Sequence, residues 1–216
     1  MFPSAGGAGA SLRAQAAPGL GFGRRQCRSP ASGRSVLYVM IAQSNINNGV
    51  AKTGVPSPSE LASCPGMPSI RRMKEGRVSV IECVQEIPCN PCESACPFGA
   101  ITVGDQITSL PVLHEEKCTG CGACIPGCPG LAIFVVDQSR TDGFAVVEFP
   151  FEYLPLPNKG DRVTAVNRAG EALCAAEVLS VKQSKAYNGT TVIGLLVPIA
   201  YAGEARGMKR LARRDG

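Results

Sequence analysis

Residues Cys118–Pro129 read CTGCGACIPGCP. The spacing is C-x2-C-x2-C-x3-C followed by proline, a run whose thiolates hold iron–sulfur clusters. Thiolate is a soft ligand and suits that chemistry better than carboxylate. Three closely spaced cysteines wrap one face of a cluster. Gly120 and Gly122 let the loop turn tightly and aim amide N–H groups at sulfur. The fourth cysteine of such a run, here Cys128, goes to the other cluster of a pair. Pro129 closes the loop and suits the first position of a helix.

Upstream lies a second run, Glu82–Pro97, ECVQEIPCNPCESACP. Counting back from Cys96-Pro97 finds Cys92 and Cys89 in register. The next register position holds Glu86, and a cysteine occurs three residues earlier, at Cys83. The two runs form an internal repeat: Cys89-x2-Cys92-x3-Cys96-Pro97 matches Cys121-x2-Cys124-x3-Cys128-Pro129, with the Cys-Pro pairs 32 residues apart. A duplication of this kind predicts two equivalent halves related by a pseudo-twofold, each a loop, a short helix and strands. Val78–Ile81, Ile101–Val103 and Ile133–Val136 are the strands expected there.

The segment 78–137 resembles a dicluster bacterial-type ferredoxin domain. The resemblance implies two [4Fe-4S] clusters. It assigns Cys118, Cys121, Cys124 and Cys96 to cluster II, and Cys128 with three cysteines of the first run to cluster I. Cys89 and Cys92 match; the remaining ligand departs from the pattern. Either Cys83 reaches in across a longer loop, or Glu86 supplies a carboxylate, or three ligands hold a three-iron cluster, or cluster I is lost. Ligand softness favours Cys83. A zinc ribbon also uses C-x2-C pairs, but two pairs suffice for zinc and eight matched cysteines exceed that need. Glu86, Glu93 and the missing amide at Pro91 predict a lower potential for cluster I than for cluster II, which has Lys117 and two loop glycines.

The remaining composition fits this reading. The 216 residues contain 11 cysteines, of which eight lie between Cys83 and Cys128 in these runs, a clustering that fits metal ligation in a reducing, cytoplasmic setting rather than disulfides. Cys27, Cys64 and Cys174 read as thiols outside the clusters. Gly (25) and Pro (17) are abundant, so short elements and many turns are expected. The net charge of +5 comes from a head, residues 1–59, with six basic residues and no acid; the rest nets −1, which argues against a nucleic-acid surface. The low-complexity stretch 1–45 reads as a disordered basic extension, in preference to an export signal or an organelle transit peptide. No apolar run reaches the roughly 18 residues of a membrane span. His114 reads as structural or solvated. With one histidine and no nucleophile motif, acid–base or covalent catalysis has no visible residues, so the chain is expected to be no enzyme. No glycine-rich nucleotide loop is present.

The expected class is α+β: a lead-in at 46–77, a ferredoxin-like dicluster domain at 78–142, a small antiparallel β barrel or sheet at 143–200, and a basic tail at 201–216. Ser57-Pro58-Ser59-Glu60 has the form of a helix start with a reciprocal cap. Strands are expected at 145–149, 162–166, 177–181 and 190–197, between turn signals at 158–161, 168–171 and 187–189. The tail from Tyr201 to Arg214 has the composition of a short basic helix.

Residues 52–155 also resemble the small ferredoxin-like subunits of multi-subunit, dye-linked dehydrogenases acting on amino or imino acids such as proline, hydroxyproline or sarcosine. The resemblance rests on KTGVPSPSEL (52–61), VIECVQEIPCNPCESACPFGAI (80–101) and FPFEYLPLP (149–157). It implies flavoprotein dehydrogenase subunits, or another redox protein, as partners. A free-standing soluble ferredoxin with an accessory β domain is the alternative.

Overall fold

The computed structural model describes residues 49–212. The expectations for residues 1–45, including Cys27, lie outside the described residues, as does the end of the basic tail.

Three short helices lead in: α1 (Val50–Thr53), α2 (Pro58–Ser63) and α3 (Ile70–Glu75). The start of α2 is the reciprocal cap legible in its sequence. Ser57 Oγ accepts from the Glu60 N–H at 3.3 Å, and the Glu60 carboxylate accepts from the Ser57 N–H at 2.7 Å. Pro58 takes the first helical position, where no N–H is needed. The Ser57 amide holds the Glu60 carboxyl below its usual value. Ser69 caps α3 in turn, its Oγ accepting from the Arg72 N–H at 3.1 Å.

Among the described residues nine strands follow, interrupted by two one-turn α-helices and two 3-10 turns. They are β1 (Val78–Ile81), β2 (Ile101–Thr102), β3 (Val112–Leu113), β4 (Ile133–Asp137), β5 (Phe144–Phe151), β6 (Arg162–Val166), β7 (Ala172–Lys182), β8 (Thr191–Pro198) and β9 (Gly207–Met208). The helices are α4 (Pro91–Ser94) and α5 (Cys124–Gly127). Strands β2 and β3 form a separate small hairpin; the other seven make one antiparallel sheet in the order β1-β4-β5-β8-β7-β6-β9. The architecture is mostly antiparallel sheet with few helices.

The sheet runs without a break from the cysteine-bearing segment into the C-terminal segment. Val136 pairs with Val78 on one side and Val147 on the other, and Val147 pairs with Leu195. The sequence boundary at 142/143 thus falls in the turn of a paired hairpin, β4–β5. Strand β1 is buried along its whole length, and four of the five residues of β4 are buried. Both faces of this pair are covered: Val80, Phe134 and Val136 enter a core with β5–β9, while Val78, Ile81, Ile133 and Val135 enter a second core with the cysteines. Double burial explains why VSVI and IFVV read as near-continuous apolar runs rather than alternating ones. Each fully buried Val or Ile contributes about 1.5–3 kcal/mol, so this shared pair stabilises the ground on which the cysteine loops stand.

The sheet also curls. Strands β1 and β9 lie at opposite ends of the strand order. Even so, Arg206, next to β9, donates to Glu82, next to β1, at 2.7 Å.

Two expectations need correction. The tail from Tyr201 onward is not a helix among its described residues: a 3-10 turn at Ile199–Tyr201 leads to β9, which pairs with β6. Gly203 and Gly207 weaken any helix there, and Arg206 is drawn inward instead of being solvated. Pro129 does not open a helix. Helix α5 ends before it, and Cys128 is extended (φ −92°, ψ 109°), because a residue preceding proline avoids the α region.

Candidate metal centre

The loops between these strands bring eight cysteines into two recesses. The first is ringed by Cys96, Cys118, Cys121 and Cys124 around an empty volume of about 310 Å³, with Ser79, Ala100, Ile101, Gly120, Gly122 and Val135 in its walls. Three of these thiols come from the second run, and Cys96 crosses from the first. The second recess, with an empty volume of about 390 Å³, is ringed by Cys83, Cys89, Cys92 and Cys128, with Ile81, Ile133, Pro111 and Pro129 behind them. Here three come from the first run, and Cys128 crosses from the second. Glu86 is exposed and does not line either recess. None of the eight is in a disulfide.

The surroundings fit a large anionic sulfur-bound group. Backbone donors point at sulfur in a repeated pattern: the Ala100 N–H donates to Cys96 Sγ at 3.3 Å and the Ala132 N–H to Cys128 Sγ at 3.5 Å, each four residues after its cysteine. The Ser79 N–H donates to Cys118 Sγ at 3.4 Å, and Ser79 Oγ lies 3.5 Å from Cys124 Sγ. Gly120 (φ 65°) turns the loop where no side chain fits, since a Cβ would stand 2.4 Å from Arg77 Cβ. A single tetrahedral zinc ion would draw its thiolates to about 3.8 Å from one another. Among the described residues no group of three or more His, Cys, Asp or Glu is placed to hold a single metal ion. A cluster of several irons takes several thiolates at one place, and four thiols line each recess.

Burial raises the thiols in these recesses. Desolvation, then the neighbouring Cys128, pushes Cys92 up to about 11. Desolvation, partly opposed by the Ser79 hydroxyl, pushes Cys124 up to about 12. Cys83 rises for the same leading reason. Such thiols are protonated near neutrality, so ligation of metal there displaces protons.

Several residues that hold the loops have no local signature. Arg72 of α3 donates to the Cys118 carbonyl at 2.6 Å and the Glu115 carbonyl at 3.1 Å. Arg77 donates from Nε to the Gly120 carbonyl at 3.1 Å and from Nη2 to Glu148 at 2.7 Å; Lys182 reaches the other Glu148 oxygen at 2.8 Å. Glu82, the residue before Cys83, is buried and meets Arg168 and Arg206. Burial alone would raise its carboxyl, but the two guanidiniums outweigh that and hold it below the usual range. Ser79, which donates to Cys118 Sγ, does have a local signal, as the one polar residue within the apolar run VSVI. Gly127 carries a packing constraint: a Cβ there would come within 2.7 Å of Ala95 Cβ, where α5 meets the end of α4.

The other singled-out residues fall outside the recess linings. The Cys64 thiol is buried and donates to the carbonyls of Ile81 at 3.2 Å and Cys83 at 3.4 Å. Cys174 is buried in β7. His114 follows β3, its Nε2 3.0 Å from Thr102 Oγ1. No helix among the described residues is long and apolar enough to cross a membrane.

Residues 82–147 match the family of 4Fe-4S dicluster domains. Among curated proteins, this chain is similar to the aliphatic sulfonate oxidoreductase, polyferredoxin-like subunit, of Pyrococcus furiosus: 52% identical over 48 residues, 22% of this chain and 27% of that protein. It is similar to a subunit of the Na(+)-translocating ferredoxin:NAD(+) oxidoreductase complex of Acetobacterium woodii, 39% identical over 49 residues, 23% of this chain and 14% of that protein. It is also similar to the ferredoxin-type protein NapF of Haemophilus influenzae, 34% identical over 61 residues, 27% of this chain and 35% of that protein. The match therefore spans about a third or less of each relative's length. No solved structure matches the chain.

Proposed function

With an iron–sulfur segment of the ferredoxin type at 82–147, we propose that the chain is a non-catalytic electron-transfer subunit carrying two [4Fe-4S] clusters. In this reading Cys96, Cys118, Cys121 and Cys124 hold one cluster, and Cys83, Cys89, Cys92 and Cys128 hold the other. The observation that carries it is the pair of four-thiol recesses, each completed by one cysteine from the other run. The matched amide-to-sulfur bonds at Ala100 and Ala132 support a pseudo-twofold relation between the halves. When bound, the clusters supply one-electron acceptor and donor sites. The chain's own residues hold the thiolates, donate N–H groups to sulfur and exclude water with Ile81, Ile101, Ile133 and Val135.

Exchange of electrons with another protein is supported by apolar side chains at the recess mouths. Phe98 lines the first recess and is 51% exposed; Ile87 lines the second and is 49% exposed. Between Arg77 and Lys117 the chain carries acidic residues and no lysine or arginine. The partner in this reading is a flavin-dependent amino or imino acid dehydrogenase, on the strength of the motifs at 52–61, 80–101 and 149–157. A free-standing ferredoxin is the alternative, and a native extract separates the two: co-elution with a flavoprotein favours the subunit, and a particle near 22 kDa favours the free carrier.

The decisive test is iron and sulfide counting on anaerobically purified protein. About eight of each is expected for two cubanes, and about four for Cys83→Ser if the remaining three thiols lose their cluster. About four in the wild type refutes the two-cluster reading. A full count in Cys83→Ser, with Glu86→Gln losing iron, would transfer the ligand role to Glu86.

A further inference from the structure

Strand β1 is buried along its whole length, yet its second position is a serine. Ser79 is 1% exposed and lines the first recess together with Cys118, Cys121 and Cys124. Two of its groups point at sulfur. The Ser79 N–H donates to Cys118 Sγ at 3.4 Å, and Ser79 Oγ lies 3.5 Å from Cys124 Sγ. A thiolate that ligates metal has no proton to give, so with a cluster bound the hydroxyl donates and the sulfur accepts. Burial keeps water from competing for either bond.

The strand alone does not ask for serine here. The neighbours Val78, Val80 and Ile81 are β-branched, and so is Val135, the partner of Ser79 across the β1–β4 pair. Valine would suit such a place, and a hydroxyl taken out of water costs stability unless it finds a partner. The partner that it finds is one of the four thiols of the recess.

The same bond distinguishes the two recesses. The amide bonds at Ala100 and Ala132 are matched, one to Cys96 Sγ and one to Cys128 Sγ, and so favour neither. Ser109 is in the lining of the second recess, but among the described residues no hydroxyl is hydrogen-bonded to a sulfur there. Ser79 therefore breaks the symmetry of the repeat in favour of the first recess.

We propose that Ser79 raises the reduction potential of the cluster held in the first recess through the bond from its hydroxyl to Cys124, so that this cluster is the first of the two to take an electron; the proposal rests on the two-cluster reading. Reduction adds one negative charge to a cluster and its sulfurs, and a donor aimed at sulfur stabilises the more negative state. The electron comes from the redox partner, and no covalent bond forms or breaks. Ser79 is a positioning residue here, acting through Cys124.

Full-length protein, purified anaerobically, is titrated with dithionite and followed by EPR, with iron counts and melting curves alongside. Cys121→Ala, at the exposed thiol of the first recess, identifies that recess's signal as the one it abolishes. Ser79→Ala removes the hydroxyl and keeps the amide bond to Cys118. It is expected to make the first-recess cluster about tenfold harder to reduce, which for one electron is about 59 mV lower, and to leave the other signal in place. Ser79→Thr keeps a hydroxyl and is expected to hold the potential near wild type. Ser79→Val has the shape of threonine without the hydroxyl, suits a buried strand, and is expected to fall as Ser79→Ala does. The contrast between Ser79→Thr and Ser79→Val keeps the test readable if Ser79→Ala loses iron. A purely structural role would change melting or iron content and leave both potentials alone. Full iron with unmoved potentials in Ser79→Ala and Ser79→Val overturns the proposal alone, as does an equal drop in Ser79→Thr. A wild-type count of about four irons overturns the two-cluster reading, and the ordering of the two clusters with it.

Discussion

Replacing Gly120 with alanine tests whether the loop around Cys118 and Cys121 is held by close contact or merely drawn near. Gly120 has φ 65°, a conformation that costs an L-residue about 1–2 kcal/mol. The added Cβ would lie 2.4 Å from Arg77 Cβ and 2.6 Å from the Arg77 carbonyl carbon and oxygen. Two of these three atoms are backbone, so the loop must move, and forced repacking of this kind costs about 1–3 kcal/mol. The total is about 2–5 kcal/mol. For a folded part of this size, each kcal/mol lowers Tm by about 2–4 °C, so the fall is about 4–20 °C. Gly143→Ala is the matched control: φ is 82°, but nothing lies within 4 Å of the added Cβ. Only the conformational cost applies there, about 1–2 kcal/mol or about 2–8 °C. The two variants are compared by thermal unfolding and by iron content after anaerobic purification. Gly120→Ala also breaks the register of the Arg77-to-Gly120 hydrogen bond, so on the proposed two-cluster reading its iron count is expected to fall from about eight toward about four. If Gly120→Ala melts with Gly143→Ala and keeps all its iron, the contact with Arg77 does not organise this loop.

Glu148→Gln leaves Arg77 and Lys182 without their shared counter-charge. Because both cations are more than a third exposed, the expected cost is only about 1–2 kcal/mol, and differential scanning calorimetry that finds Tm unchanged would count against any structural role for the pair. The cluster-free protein should lose stability in alkali. Cys92 and Cys124 have folded values of about 11 and about 12, above the ordinary thiol value of about 8.5. A group raised on folding contributes stability that is complete below the unfolded value and is lost as pH climbs through the folded one. Melting of the apo chain should therefore be flat below about pH 8 and decline between about 8.5 and 12, and Cys124→Ala should show a shallower decline; a flat profile to pH 11 contradicts the burial of these thiols.

The parts of the structure legible in sequence are those whose cause is local. The Ser57–Glu60 cap, the cysteine spacings and the strands at 78–81, 162–166 and 191–198 are each written within a few neighbouring residues. Strand ends were less legible: β7 runs from Ala172, five residues before the apolar alternation at Glu177 begins, because its pairing with β6 and β8 extends it. Continuity of the sheet was not legible at all, since the change of texture at Gly143 marks a hairpin turn as readily as a domain boundary. Nor could the supports of the loops be read. Glu82 carries no local sign of its role; its partners lie 86 and 124 residues away. The tail misled for a related reason. Its composition pointed to a short basic helix, yet Arg206 is buried and donates to Glu82, next to the first strand. What bears on the choice between Cys83 and Glu86 is the path of the chain after β1, where Cys83 lines the second recess and Glu86 is exposed outside it.

The meeting of Glu82 with Arg206 has a consequence for the order of events during synthesis. Chains emerge N-terminus first, at about 5–20 residues per second. All eight cysteines have appeared by Cys128, but Arg206 follows roughly 80 residues later, a delay of about 4–16 s at that pace. For that interval the carboxylate beside Cys83 lacks Arg206, with Arg168 arriving part-way through it, while the loop from Cys118 to Cys124 already has Arg72 and Arg77 behind it. Iron delivered to a nascent chain thus meets one site whose supports are largely in place and one that waits for the last strand.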